Sequence, residues 1–214
     1  KNDFVYDLPL KELLEAGIEV IGIELTALSD ELTFIEGGFY GNFETTQEVS
    51  IGIVICTFKR EQYVKHNVAV LKELIEKNDK FSVMIIDNGR TLTEVSGKNI
   101  QVIPNPNYGG SGGFTRGLME QVNQGCNNYV LMMDDDIVIE TSALDRVYKV
   151  CQHVREERKM QMFGGAMLNM QKPTEQFENT AYWKLIKLIA FGRGFDLTDK
   201  RKLYENEKFP EKIN

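Results

Sequence analysis

The sequence predicts an α/β fold, a mostly parallel sheet with helices on its faces, and three features of its 214 residues point there. Strand-like and helix-like periodicities alternate from Val49 to about residue 168. The run Ile51-Gly52-Ile53-Val54-Ile55-Cys56 is apolar at nearly every position, as expected of a parallel strand buried on both faces. Each apolar run then gives way to polar or glycine-rich residues, most abruptly where Tyr129-Val130-Leu131-Met132-Met133 leads into Asp134-Asp135-Asp136.

Taken in order, residues 18–25 and 32–35 read as short β segments broken by Gly37-Gly38 and Gly41-Asn42, the end of a separate β domain over 1–46. The α/β domain then occupies 47–214. After the first strand, Val64, Val68, Leu71 and Ile75 predict a helix from about Glu61. Strands follow at 82–86 and 100–103, a helix at 114–123, a strand at 129–133 and a helix at 142–158, with Leu144, Val147, Cys151 and Val154 inward. Thr141 or Ser142 suits the N-cap of that helix. A further strand near 162–168 carries Gly164-Gly165, the mark of a bulge or of a close approach to a ligand. Beyond Gln171 the periodicity fades into mixed aromatic and charged residues.

Composition narrows the function. A net charge of -7 and a pI near 5.1, with no lysine or arginine stripe, exclude a nucleic-acid footprint, so an anionic partner is met through a metal or a few basic residues. Cys56, Cys126 and Cys151 are odd in number and widely spaced, which argues against a disulfide framework or a zinc site and for a reducing, cytoplasmic compartment. The longest apolar runs, 51–58 and 185–191, fall short of the roughly 18 residues a membrane span needs, and no signal peptide is visible. A chain that opens at Lys1 and stops at Asn214 reads as a piece of a longer protein.

In open parallel sheets ligands bind at the carboxyl ends of the strands. Four such ends converge here: Thr57-Phe58-Lys59-Arg60, Asp87-Asn88-Gly89, the segment from Pro104 to Tyr108, and the aspartates. Strand period points Asp134 and Asp136 one way and Asp135 the other, so the outer pair suits a divalent cation on a diphosphate. A solvated strand end or a helix-capping cluster is the competing reading. Asp87 suits a base or ribose, since one carboxylate accepts from two donors, or else forms a turn with Asn88-Gly89. The run from Asn107 to Arg116 lets backbone approach a ligand and aims a helix N-terminus at it. It is not a dinucleotide fingerprint, because Thr115 stands where the third glycine belongs, and no Gly-Lys-Ser/Thr phosphate loop occurs. Arg60 and Arg116 are the candidate anion-pairing cations. His66 and His153 read as helix-surface or boundary residues, and Trp183 as a core residue or a sugar-stacking one.

Five segments, Ile-Cys-Thr-Phe-Lys-Arg (55–60), Asp-Asn-Gly (87–89), Asn-Tyr-Gly-Gly-Ser-Gly-Gly-Phe-Thr-Arg (107–116), Met-Asp-Asp-Asp-Ile (133–137) and Gly-Gly-Ala-Met-Leu-Asn (164–169), together resemble family 2 inverting glycosyltransferases with the Rossmann-like GT-A fold. Within these the chain is most similar to galactofuranosyltransferases that build cell-wall galactan. Glu24-Leu25-Thr26-Ala27 and Glu36-Gly37-Gly38-Phe39-Tyr40 resemble the end of the β-sandwich domain that precedes the catalytic domain there, so the likeness runs to about residue 170.

The resemblance implies Mn²⁺ or Mg²⁺ held by Asp134 and Asp136 on the diphosphate of UDP-galactofuranose. It implies a donor site drawn from Thr57, Phe58, Arg60, Asp87, Asn88, Asn107, Gly109, Gly110, Asp134 and Asp135. It further implies a glycan or lipid-linked glycan acceptor of the cell envelope or capsule, peripheral association with the inner face of the membrane, and compatibility with a homo-oligomer. The family's general base, an aspartate after a Trp-Trp acceptor segment, and its metal-binding histidine are not identifiable before Asn214, and Asp196 and Asp199 come too early for that role. The expected content is therefore the donor half of a site. A family 2 transferase of another nucleotide sugar, and a non-catalytic nucleotide-sugar or glycan-binding module, are the alternatives. A sugar nucleotidyltransferase fits less well, because Cys56-Thr57-Phe58 stands where such enzymes carry a glycine-rich loop with a basic residue.

Overall fold

The computed structural model describes residues 4–18, 21–35, 37–158 and 162–208, and the chain divides into two compact units, Gly41–Phe163 and a second made of Lys1–Tyr40 with Gly164–Asn214. The boundary expected near residue 46 thus falls at Tyr40/Gly41, and residues from Gly164 on do not join the parallel sheet.

The chain first forms a short helix, α1 (Leu10–Glu15), with no buried residue. The β segments expected at 18–25 and 32–35, and with them the sandwich end expected over 1–46, have no strand among the described residues; Ile23, Leu25, Leu32, Phe34 and Ile35 are exposed. A strand needs a neighbour for its N–H and C=O groups, and no strand of the described chain pairs with these residues. Glu19, Val20 and Glu36 lie outside the described residues.

The unit Gly41–Phe163 alternates β1 (Ile51–Thr57), α2 (Glu61–Lys77), β2 (Phe81–Asp87), β3 (Ile100–Pro104), α3 (Gly109–Gln124), β4 (Tyr129–Asp134) and α4 (Thr141–His153). The sheet order is β3-β2-β1-β4, and every pairing is parallel. Central β1 is buried almost throughout, which is why its sequence does not alternate. Its two faces meet different helices. Ile51, Ile53 and Ile55 pack with Val64, Val68, Leu71 and Ile75 of α2 and with Leu144 and Cys151 of α4, whereas Val54 joins Met84, Ile86, Ile103 and Phe114 on the α3 side. Each such side chain contributes about 1.5–3 kcal/mol through burial.

Helix α3 begins at Gly109, five residues before the expected Phe114. Close packing explains it: a Cβ on Gly113 would lie 2.2 Å from Cys56 Sγ, and one on Gly117 2.3 Å from Val54 Cγ1. Glycine is therefore what lets the helix press on β1 despite its poor helix propensity. Neither Thr141 nor Ser142 caps α4; Glu140 precedes it without a side-chain cap. The helix ends at His153 rather than 158, where Thr46 Oγ1 donates to the carbonyls of Gln152 and Val154 and Gln47 Nε2 to that of Cys151. A separate 3-10 turn covers Glu156–Arg158.

In the other unit, the strand expected near 162–168 starts at Met167. β5 (Met167–Asn169) pairs antiparallel with β6 (Lys172–Glu178), β7 (Thr180–Lys184) with β8 (Lys187–Phe191), and α5 (Lys200–Lys208) follows. Gln176 of β6 is fully buried and exchanges amide hydrogen bonds with Asn206 of α5.

Candidate functional site

Register decides what meets at the carboxyl edge of the sheet. Thr57 pairs with Asp87, Asp87 with Pro104, and Cys56 with Asp134, so the four expected strand ends lie side by side. Cys56, Thr57, Phe58, Arg60, Asn88, Asn107, Gly109, Gly110 and Asp135 line a cleft of about 420 Å³ there. A second hollow, about 350 Å³, lies at the opposite edge beside Ser50, Lys80, Asn99 and Asn127, where ligands of such sheets do not bind.

The aspartates divide as alternation requires. Asp134 and Asp136 are exposed, whereas Asp135 is buried and faces β1. Thr57 Oγ1 donates to Asp135 Oδ2 at 2.7 Å, and Arg60 Nη1 donates to Asp135 Oδ1 at 3.2 Å and to Asp136 Oδ2 at 2.5 Å. The hydrogen bond that Arg60 donates to Asp136, then the charge of Asp135, pushes the Arg60 guanidinium up and keeps it cationic. From below, Asn67 Nδ2 of α2 donates to the Asp135 carbonyl at 2.9 Å.

Asp87 is also buried, but it turns away from the cleft. Its carboxylate accepts the backbone N–H groups of Gly89, Thr91 and Leu92 at 2.9, 2.7 and 2.8 Å, shaping its own loop. Asn88 braces the cleft floor: its Nδ2 donates to the Gly109 carbonyl at 3.2 Å, and its Oδ1 accepts from Asn105 Nδ2 at 2.7 Å. Asn107 Oδ1 accepts the Gly109 N–H at 3.1 Å, so this exposed side chain shapes the turn that leads into α3, whose N-cap residue is Tyr108. The amino end of α3 faces the cleft through Gly109 and Gly110, where the first-turn amides and the helix dipole favour an anion.

Cys56 and Asn67 belong to the site without having been expected there. Asn67 had a legible signal: it is an amide on the apolar stripe Val64, Val68, Leu71. Burial, then the negative charge of Asp135, pushes the Cys56 thiol up, so it is no ready nucleophile. Arg116 pairs with Glu120, His66 is exposed, and the His153 ring lies tilted beside Phe43 with Nδ1 at the Glu44 carbonyl. None of the three lines the cleft. Trp183 is exposed in the other unit, where Asp196 and Asp199 cap local backbone at Thr198 and Arg201.

Among the described residues, no group of three or more His, Cys, Asp or Glu is arranged to hold an ion alone. Asp134 and Asp136 offer two hard carboxylates, a set that fits a Mg²⁺-like cation taking its remaining ligands from diphosphate and water. Among the described residues no helix is long and apolar enough to cross a membrane.

Comparisons with known proteins show the family to which the chain belongs. The chain is 36% identical over 157 residues to galactofuranosyltransferase GlfT2 of Mycobacterium tuberculosis, covering 67% of this chain and 24% of that protein. It is 26% identical over 148 residues to galactofuranosyltransferase GlfT2 of Mycolicibacterium smegmatis, covering 64% of this chain and 22% of that one. The chain thus spans about a quarter of the length of these relatives. The family model described as glycosyltransferase like family 2 matches residues 50–206, which include all four strands of the parallel sheet and every residue of the cleft, and the chain belongs to that family.

Proposed function

We propose that the chain is the donor-binding part of a metal-dependent inverting glycosyltransferase that transfers galactofuranose from UDP-galactofuranose to a cell-envelope or capsular glycan, free or lipid-linked. The observation that carries the reading is the meeting, at one sheet edge, of the aspartate turn, a guanidinium and a helix N-terminus: Asp135, Arg60 and the start of α3 line one cleft, and the exposed Asp134 and Asp136 stand on either side of Asp135 in the chain without lining it. The galactofuranosyl donor is supported by the names of the relatives.

In this reading Asp134 and Asp136 hold the cation, Mn²⁺ or Mg²⁺, which when bound supplies Lewis-acid neutralisation of the leaving diphosphate. The α3 amides bind the same phosphates, and Arg60, ion-paired to Asp136 and Asp135, adds positive charge beside the cation. Asn88 and Asn107 act one step back, by fixing the first turn of α3. Inversion requires an acceptor hydroxyl to attack in line on the sugar face opposite the diphosphate, and a general base to take its proton. No residue of the cleft is assigned that role. Peripheral contact with the inner membrane face and homo-oligomerisation belong to the same proposal.

Calorimetric titration of UDP with and without Mn²⁺, on this chain and on an Asp134→Ala/Asp136→Ala variant, tests it. Metal-dependent binding that the variant loses is the expected result. Folded protein that binds no UDP under either condition would sink the donor-site reading.

A further inference from the structure

Asn67 sits where a leucine would be expected. It is 1% exposed on α2, on the stripe formed by Val64, Val68 and Leu71. Its Nδ2 donates to the Asp135 carbonyl, whereas its Oδ1, also buried, has no hydrogen-bond partner. That pattern is a poor choice for packing alone, because a buried amide with an unanswered acceptor opposes folding relative to an apolar residue of equal size. The bond it does make falls on a particular peptide unit. The Asp135 carbonyl and the Asp136 N–H share one rigid plane, so a donor that fixes the first fixes the second. The side chain of Asp135 is meanwhile held by Thr57 and Arg60.

We propose that Asn67 is a positioning residue for the aspartate turn. It anchors the peptide between Asp135 and Asp136 from α2, and so sets the direction in which Asp134 and Asp136 present their carboxylates to a cation and diphosphate. The assignment rests on the donor-site reading, and it gives α2 a role in the site that none of its surface residues has. Asn67 touches neither cation nor nucleotide; it acts through the turn. The unanswered Oδ1 is the cost of keeping a donor at that depth.

The test is Asn67→Leu in the full chain, with Asn67→Ala as the second variant should leucine not be accommodated. Amide hydrogen exchange is followed without ligand, and Mn²⁺ binding in the presence of UDP by electron paramagnetic resonance. The expected result is exchange at Asp136 and Ile137 faster by about tenfold, with β1 exchange and Tm unchanged or Tm raised. Mn²⁺ affinity should fall by about 10- to 100-fold, the usual effect of removing a group that orients metal ligands. Unchanged exchange at Asp136 and Ile137 overturns the proposal. So does faster exchange throughout the unit with a lowered Tm, which marks a merely structural residue. If the unsubstituted chain binds no Mn²⁺ with UDP, it is the donor-site reading that falls, and local exchange alone decides whether Asn67 holds the turn.

Discussion

Two corners of one sheet edge each bury an aspartate, and they use it in opposite ways. Asp87, after β2, gives its carboxylate to three amides of its own loop. Asp135, after β4, gives its carboxylate to Thr57 and Arg60, residues of a different element. The first corner keeps its shape without help. The second is tied to the β1 loop, so the aspartate turn and the guanidinium that pairs with it are set by a shared anchor. A loop that caps itself is a scaffold; one that grips its neighbour makes two parts of a site move as one.

Substitution can break this contrast. Asp87→Ala leaves three amides without their acceptor and should lower stability by about 3 kcal/mol in denaturant unfolding. UDP affinity of the folded protein should barely change; a binding loss larger than the stability loss would erase the distinction between the corners. Thr57→Val removes one donor from buried Asp135 at constant shape and should cost about 1–2 kcal/mol. Here binding must also suffer, and calorimetry showing full UDP affinity would mean the corners are not coupled. Arg60→Ala should leave Tm nearly unchanged, since the guanidinium is half exposed and its ion pairs are weakened by solvent. Its signature is a split: Mn²⁺ alone binds more tightly once Asp136 loses its competing cation, while UDP with Mn²⁺ binds less tightly. Both constants moving together would contradict the bridging role.

Much of this was legible in the sequence, for a physical reason. Strands buried on both faces write themselves as apolar runs, so 51–56 and 82–86 stand out; 129–133 reads the same way although β4 is an edge strand with Val130 and Met132 exposed, and the parallel order places the three ends together. The cleft accordingly gathers Thr57, Phe58, Arg60, Asn88, Asn107, Gly109, Gly110 and Asp135. Orientation was harder to read. Asp87 could face a nucleotide or its own loop on sequence grounds, and only the position of the Gly89, Thr91 and Leu92 amides decides. The start of α3 was hidden because four glycines in its first five residues look like a loop unless the surface beneath them is known. Segments 18–25 and 32–35 have strand composition, but among the described residues no strand pairs with them, and β propensity registers only composition. Past Gln171 the strands are short and largely exposed, so no stripe marks them.

The contact of Gly113 with Cys56 has a consequence for how such a chain can change over generations. Missing Cβ and present sulfur fill one shared volume. A methyl group gained at 113 requires that volume to be vacated at 56, or the amino end of α3 lifts from the cleft it serves. The two positions, 57 residues apart in sequence, are therefore coupled in one direction: a side chain at 113 is tolerated only after a smaller residue has appeared at 56.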